Sequence, residues 1–268
     1  MFRFELCLFF LRALRVLRGE IFGVTMPRPD DRKPGQLRSL SFKRKYTRSA
    51  PGSVLVKMGR TTVLCTCTID LKVPDFLAGK GKGWLTAEYG MLPGSTSTRK
   101  PRDKGGKIDG RSVEIQRLIG RSLRAVVDLS RLGERTLWID CDVLEADGGT
   151  RTASINGALV AVIDALNALK KELGVPANEV VRDSVAAISV GVVDGEERLD
   201  LEYVEDRDAD VDLNLVMTGS GEFIEVQGSG EEATFSRRQL DRLIDLGEAG
   251  IKSITAAQKK ALGSGWPF

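Results

Sequence analysis

The chain has 268 residues, 42% of them hydrophobic, and a formal net charge of +3. That is length enough for a substantial core, and too little charge for global attraction to a polyanion. There is no histidine, which excludes Ser-His-Asp triads and every other mechanism that needs an imidazole. The four cysteines, Cys7, Cys65, Cys67 and Cys141, form no CxxC pair, so a tetrahedral zinc site is excluded too. Chemistry falls to carboxylates, guanidinium groups, backbone amides and hard metal ions.

Residues 1–25 carry Arg3, Arg12, Arg15 and Arg18 against Glu5 and Glu20. Their apolar run, Leu6 to Leu11, is too short to cross a membrane. The expectation is an N-terminal extension ahead of a start at Met26, outside the fold, followed by one domain over 26–268 in a cytoplasmic protein. From Leu37 to Asp70 the text reads as three strands, Leu37–Phe42, Ser53–Met58 and Thr61–Asp70, punctuated by Pro51-Gly52 and Gly59-Arg60. Cys65 and Cys67 share one face of the third. A short strand is expected at Trp84–Met91, then a mobile loop over 93–109. Apolar residues at helical spacing predict a helix over Arg111–Leu129, and alternation predicts a strand over Thr136–Leu144. A second helix is expected over Thr152–Leu173. Strands near 184–193, 197–203, 211–217 and 222–227 follow, and a closing helix of roughly 236–261 begins after the N-cap Ser236. This order gives an α+β (mixed α/β) fold with helices packed on a sheet.

Three constellations carry chemistry. Asp147-Gly-Gly-Thr-Arg-Thr152 lies between a strand and a helix. Its glycines admit a close ligand, and the helix start offers unpaired amides. Arg151 adds a fork suited to phosphate oxygens, and as a cation at a helix N-terminus it calls for an anionic partner. The spacing matches neither a Walker A loop nor a dinucleotide fingerprint. Arg99 to Lys107 is basic, and Arg111, Arg117, Arg121 and Arg124 continue the charge onto the next helix, either as a phosphate-backbone footprint or as a solvated face. The third, Asp200 to Asp212, packs seven carboxylates into 13 residues. On an extended strand, Asp206, Asp208, Asp210 and Asp212 share one side. They hold a hard cation or face water, and spacing alone leaves open which two bind a metal.

Arg111-Ser-Val-Glu-Ile-Gln-Arg-Leu-Ile-Gly-Arg-Ser-Leu-Arg-Ala and Gly133-Glu-Arg-Thr-Leu-Trp through Asp147-Gly-Gly-Thr-Arg-Thr-Ala-Ser resemble the RNase PH family. So do Asn214-Leu-Val-Met-Thr-Gly-Ser-Gly and Glu225-Val-Gln-Gly-Ser-Gly-Glu-Glu-Ala-Thr-Phe, and the likeness runs from about Met26 to the last helix. One departure is Arg28-Pro-Asp-Asp-Arg32, where Asp31 replaces the glycine of an Arg-x-Asp-Gly-Arg motif.

The resemblance implies a ribosomal-protein-S5-domain-2-like fold and a homohexamer built as a trimer of dimers. It also implies 3′→5′ phosphorolysis that trims tRNA precursors, uses inorganic phosphate and releases nucleoside diphosphates. By motif, Arg111, Gly149, Thr150 and Arg151 would bind phosphate. Asp206 and Asp212 would be the magnesium (Mg2+) and catalytic pair, with Arg151 beside them, and Arg99, Lys100, Arg102 and Lys104 would touch RNA. The alternative within the fold is a non-catalytic RNA-binding subunit of an exosome-like ring.

Overall fold

The computed structural model describes residues 28–102, 109–231 and 233–268. The expected extension, the start at Met26 and Lys104 lie outside the described residues. Strands β1 (Leu40–Arg44), β2 (Gly52–Met58) and β3 (Thr61–Asp70) form a meander. After β4 (Trp84–Met91), helix α1 (Gly110–Val126) crosses over to β5 (Thr136–Glu145), which pairs parallel with β4 and antiparallel with β3. A parallel pair needs such a crossover. The sheet order is β1-β2-β3-β5-β4.

Helix α2 (Thr150–Ala168) follows, and every residue from Thr152 to Leu166 is buried. A helix apolar on all sides belongs in a core, and α2 runs between the first sheet and a second. A Cβ at Gly157 would lie 2.6 Å from Cys65 Sγ, and one at Gly52 only 1.9 Å from Ala161 O. These glycines let α2 rest directly on β2 and β3. Cys65, Cys67 and Cys141 are free and buried beneath it, with Cys65 and Cys67 on one strand face as their spacing predicts.

The second sheet is antiparallel, in the order β7-β6-β8-β9, built from β6 (Val185–Val193), β7 (Glu196–Leu199), β8 (Val211–Thr218) and β9 (Phe223–Gly230). Because β7 covers only Val190–Val193 of β6, part of that edge is left unpaired. Asn156 of α2 closes it, donating to Ala187 O at 2.9 Å and accepting from Ala187 N at 2.8 Å. Between β7 and β8 the chain forms α3 (Tyr203–Asp208). The closing helix α4 (Arg237–Leu262) starts from Ser236, whose side chain and Gln239 form a capping box, as the predicted N-cap requires.

Three expectations need correction. The strand over 197–203 stops at Leu199, because Asp200 takes a left-handed backbone with φ 56°. The acidic segment is not extended. Glu202 and Glu205 form a capping box that folds residues 203–208 into α3, so Asp206 and Asp208 never share a strand side with Asp212. The second helix also begins at Thr150, with Gly149 as its N-cap, and ends at Ala168 before a separate turn, Lys170–Leu173.

Candidate active site

The loop from β5 to α2 turns on Gly148 and Gly149, both left-handed with φ 73° and 65°. A Cβ at Gly148 would sit 2.6 Å from Leu201 O, so the loop lies directly against the chain entering α3. Thr61 at the start of β3 fixes it by donating to Gly148 O at 2.6 Å and accepting from Asp147 N at 2.9 Å. No side chain caps the first turn of α2, which leaves its leading amides as outward donors. Thr150 is buried, its Oγ1 2.9 Å from the hydroxyl of Tyr89 on β4. Arg151 donates to Gln227 Oε1 at 2.8 Å and lies 3.8 Å from Glu114 Oε2, an anionic neighbour of the kind its position calls for.

Asp206 from α3 and Asp212 from β8 line one cleft of about 400 Å³ together with Arg111, Gly149, Thr150 and Arg151. Burial raises the Asp206 carboxyl above its ordinary range, and the nearby Arg111 and Arg151 pull it back down. Asp212 is pushed up to about 6, first by burial and then by the charge of Asp206. Its Oδ2 accepts from Asn214 at 3.3 Å, while its buried Oδ1 has no hydrogen-bond partner. Among the described residues no group of three or more acidic, cysteine or histidine side chains surrounds a cation position. Two mutually repelling carboxylates with an open oxygen suit a magnesium-type ion, which takes one or two carboxylates and completes its shell with water and phosphate oxygens.

Six further cleft residues carry no role in the sequence reading: Ser189, Asn214, Gln227, Gly228, Ser229 and Glu231. Their signal is register. Asp212 pairs with Ser229 across β8 and β9, and Asn214 faces Ser189 on one side and Gln227 on the other. Two rows of side chains therefore cross the sheet floor, and a period-2 reading from Asp212 reaches Asn214 at once.

The basic residues divide. Arg99 and Arg102 are exposed, whereas Lys100 is tied to Asp109 at 2.7 Å. The expected mobile loop is anchored at its start, where Ser95 is buried and its carbonyl accepts from Ala146 N at 2.8 Å. Arg111 and Arg117 are exposed. Arg121 is bidentate to Glu225, and Arg124 donates to Leu85 O at 3.0 Å while lying over Trp84. The last two are engaged within the fold, Arg121 by β9 and Arg124 by β4.

Two family models match the chain, 3′ exoribonuclease family domain 1 over residues 36–166 and domain 2 over residues 183–250. The chain belongs to the RNase PH family of 3′ exoribonucleases. Among solved structures it resembles rice (Oryza sativa) Rrp46, with 23% identity, a TM-score of 0.71, and coverage of 88% of this chain and 99% of that one. The Archaeoglobus fulgidus exosome with RNA bound to the active site matches at 22% identity and a TM-score of 0.75, over 92% and 98% of the two chains. An archaeal exosome core matches at 21% identity and 0.71, over 94% and 98%. At these identities the likeness carries the fold, a mixed α/β architecture of the ribosomal-protein-S5-domain-2 type. Among the described residues no helix is long and apolar enough to cross a membrane.

Proposed function

We propose that this RNase PH family member is a phosphorolytic 3′→5′ exoribonuclease that shortens tRNA precursors and other RNA 3′ ends. The observation that carries the reading is the single cleft joining the Gly149-Thr150-Arg151 helix start, Arg111 and the Asp206/Asp212 pair. Orthophosphate is already nucleophilic at neutral pH, so a protein without histidine needs no side-chain base to make one. Arg151 and the leading amides of α2 bind its oxygens, and Arg111, which lines the same cleft, neutralises its charge. Held in line, a phosphate oxygen attacks the last phosphodiester and the P–O3′ bond breaks. The terminal nucleotide leaves as a diphosphate, and O3′ takes the proton that hydrogen phosphate brought. A magnesium ion held by Asp206 and Asp212 would supply positive charge for the scissile phosphate and the departing oxygen. Arg99 and Arg102, both exposed, are the surface cations for RNA phosphates. A homohexameric ring and a cytoplasmic setting complete this reading.

A second reading, a non-catalytic RNA-binding subunit of an exosome-like ring, is favoured by the neighbours above, which are Rrp46 and exosome cores. The joined cradle and acid pair weigh for catalysis, since a silent subunit has no use for both. A tRNA with extra 3′ residues, incubated with magnesium with and without orthophosphate, separates the two. Phosphate-dependent nucleoside diphosphates support the first reading. Monophosphates without phosphate indicate a hydrolase, and RNA binding with no product indicates the silent subunit.

A further inference from the structure

We infer that Arg38 is a positioning residue that sets the spacing and orientation of the phosphate loop relative to the acid-bearing helix α3. The inference rests on the proposed phosphate cradle and deepens it. Arg38 is only 5% exposed and is not among the residues lining the cleft. Its guanidinium donates to Asp147 O and, at 3.5 Å, to Gly148 O, the two carbonyls just before the cradle. In a planar trans peptide the carbonyl and the following N–H point opposite ways. Holding these carbonyls toward Arg38 therefore turns the amides of Gly148 and Gly149 away from it, and Gly149 lines the cleft.

The same guanidinium binds Asp200 Oδ1 at 2.7 Å, and the Arg38 amide binds Asp200 Oδ2 at 2.8 Å. Asp200 is 1% exposed, and its carbonyl accepts from Arg28 Nη2 and Arg32 Nη1, each at 3.0 Å. Arg28 grips Glu205 through two bonds of 2.7 Å. Glu205 is the third residue of α3, closes its capping box with the N-cap Glu202, and directly precedes Asp206. A continuous buried chain of charge-assisted bonds thus runs from the phosphate loop through Arg38, Asp200, Arg28 and Glu205 to the helix that carries Asp206. It also gives work to the Arg28-Pro-Asp-Asp-Arg32 motif. Asp31 there has φ 56°, so it fills the left-handed turn that a glycine would otherwise occupy.

The test uses the full chain and reads orthophosphate binding by calorimetry, phosphate KM and kcat, and Tm with far-UV circular dichroism. Arg38→Met is expected to fold with a lower Tm, to weaken phosphate binding on the order of tenfold or more, and to raise the phosphate KM in parallel. Its kcat at saturating phosphate changes less. Arg38→Lys keeps a charge beside Asp200 but lacks the fork that spans two carbonyls, so it moves the same way. Glu205→Gln, at the other end of the chain, is expected to lower kcat more than phosphate affinity. A folded Arg38→Met or Arg38→Lys with wild-type phosphate affinity overturns the inference. Failure of both variants to fold makes the residue purely structural and overturns it as well. A wild-type protein that binds phosphate but releases no diphosphates sinks the catalytic reading and leaves this inference readable. One that binds no phosphate sinks the cradle and the inference together.

Discussion

Asp206 on α3 and Asp212 on β8 stand six residues apart and face one cleft, where the charge of Asp206 adds to burial in pushing the Asp212 carboxyl up to about 6. An ordinary aspartate ionises near 4, so as pH falls this one loses its charge earlier than an ordinary aspartate does. Phosphate-dependent RNA degradation and manganese affinity, measured at constant ionic strength, are expected to plateau above about pH 7. Both should fall roughly tenfold per unit below about pH 6. Rates and affinities flat from pH 5 to 7 would rule Asp212 out as the metal-binding carboxylate.

Stability moves with the opposite sign. The folded pKa of Asp212 lies above the unfolded one, so its contribution to stability is full below about pH 4 and is lost as pH rises through about 6. At pH 7.5 the metal-free protein holds a strained charge, and Asp212→Asn removes it. The variant should be more stable at pH 7.5 by on the order of 2 kcal/mol at most. It should lose that advantage near pH 4 and have no turnover. Urea melts at the two pH values check the sign, and an Asp212→Asn protein less stable at pH 7.5 would contradict the burial argument.

How far the site could be read from sequence depends on the residue. Gly149, Thr150 and Arg151 were legible because a glycine pair between a strand pattern and a helix pattern marks a helix N-terminus, and the structure puts the cap at Gly149. The acid pair was named through the family motif, but its geometry was not legible. A row of alternating aspartates mimics a strand, whereas the Glu202/Glu205 capping box folds half of the row into a helix. Arg121 and Arg124 read as a basic face, because helical spacing shows which residues share a side and not which carboxylate or carbonyl waits there. Glu225, the partner of Arg121, lies 104 residues away. Asn214 and Gln227 were reachable only through strand register, which depends on tertiary pairing.

Arg151 donates to Gln227 through one nitrogen and lines the cleft. Arg151→Ala is expected to raise the phosphate KM at least tenfold with a smaller loss of kcat at saturating phosphate. Arg111→Ala should do the same and should also raise the Asp206 pKa, since Arg111 is the leading charge that opposes its burial. An unchanged phosphate KM in Arg151→Ala would remove the phosphate role from that side chain.

The division among the cations predicts a division in RNA binding. Arg102→Ala and Arg117→Ala, at exposed positions, should each weaken RNA binding and lower the slope of log K against log salt by up to about 1. Arg121→Ala should leave that slope unchanged. Its cost should be no more than about 1 kcal/mol of stability, because its pair with Glu225 is part-exposed. Fluorescence anisotropy over a salt series distinguishes them, and equal slopes for Arg117→Ala and Arg121→Ala would overturn the assignment.

Gly148 tests whether the gap between loop and helix matters apart from any charge. Its φ of 73° disfavours any side chain, and a Cβ there would also strike Leu201 O at 2.6 Å and Glu202 C at 2.7 Å. Gly174 supplies the control, with φ 69° and nothing within 4 Å of an added Cβ. Gly174→Ala should therefore cost only backbone strain, about 1 kcal/mol, and leave the phosphate KM alone. Gly148→Ala adds a clash with backbone, which only a displacement of the phosphate loop or of the chain entering α3 can relieve. It is expected to lose more than Gly174→Ala in a chemical melt and, unlike it, to raise the phosphate KM. Matching losses of stability with an unchanged KM in both would mean that this spacing is not what tunes the cleft.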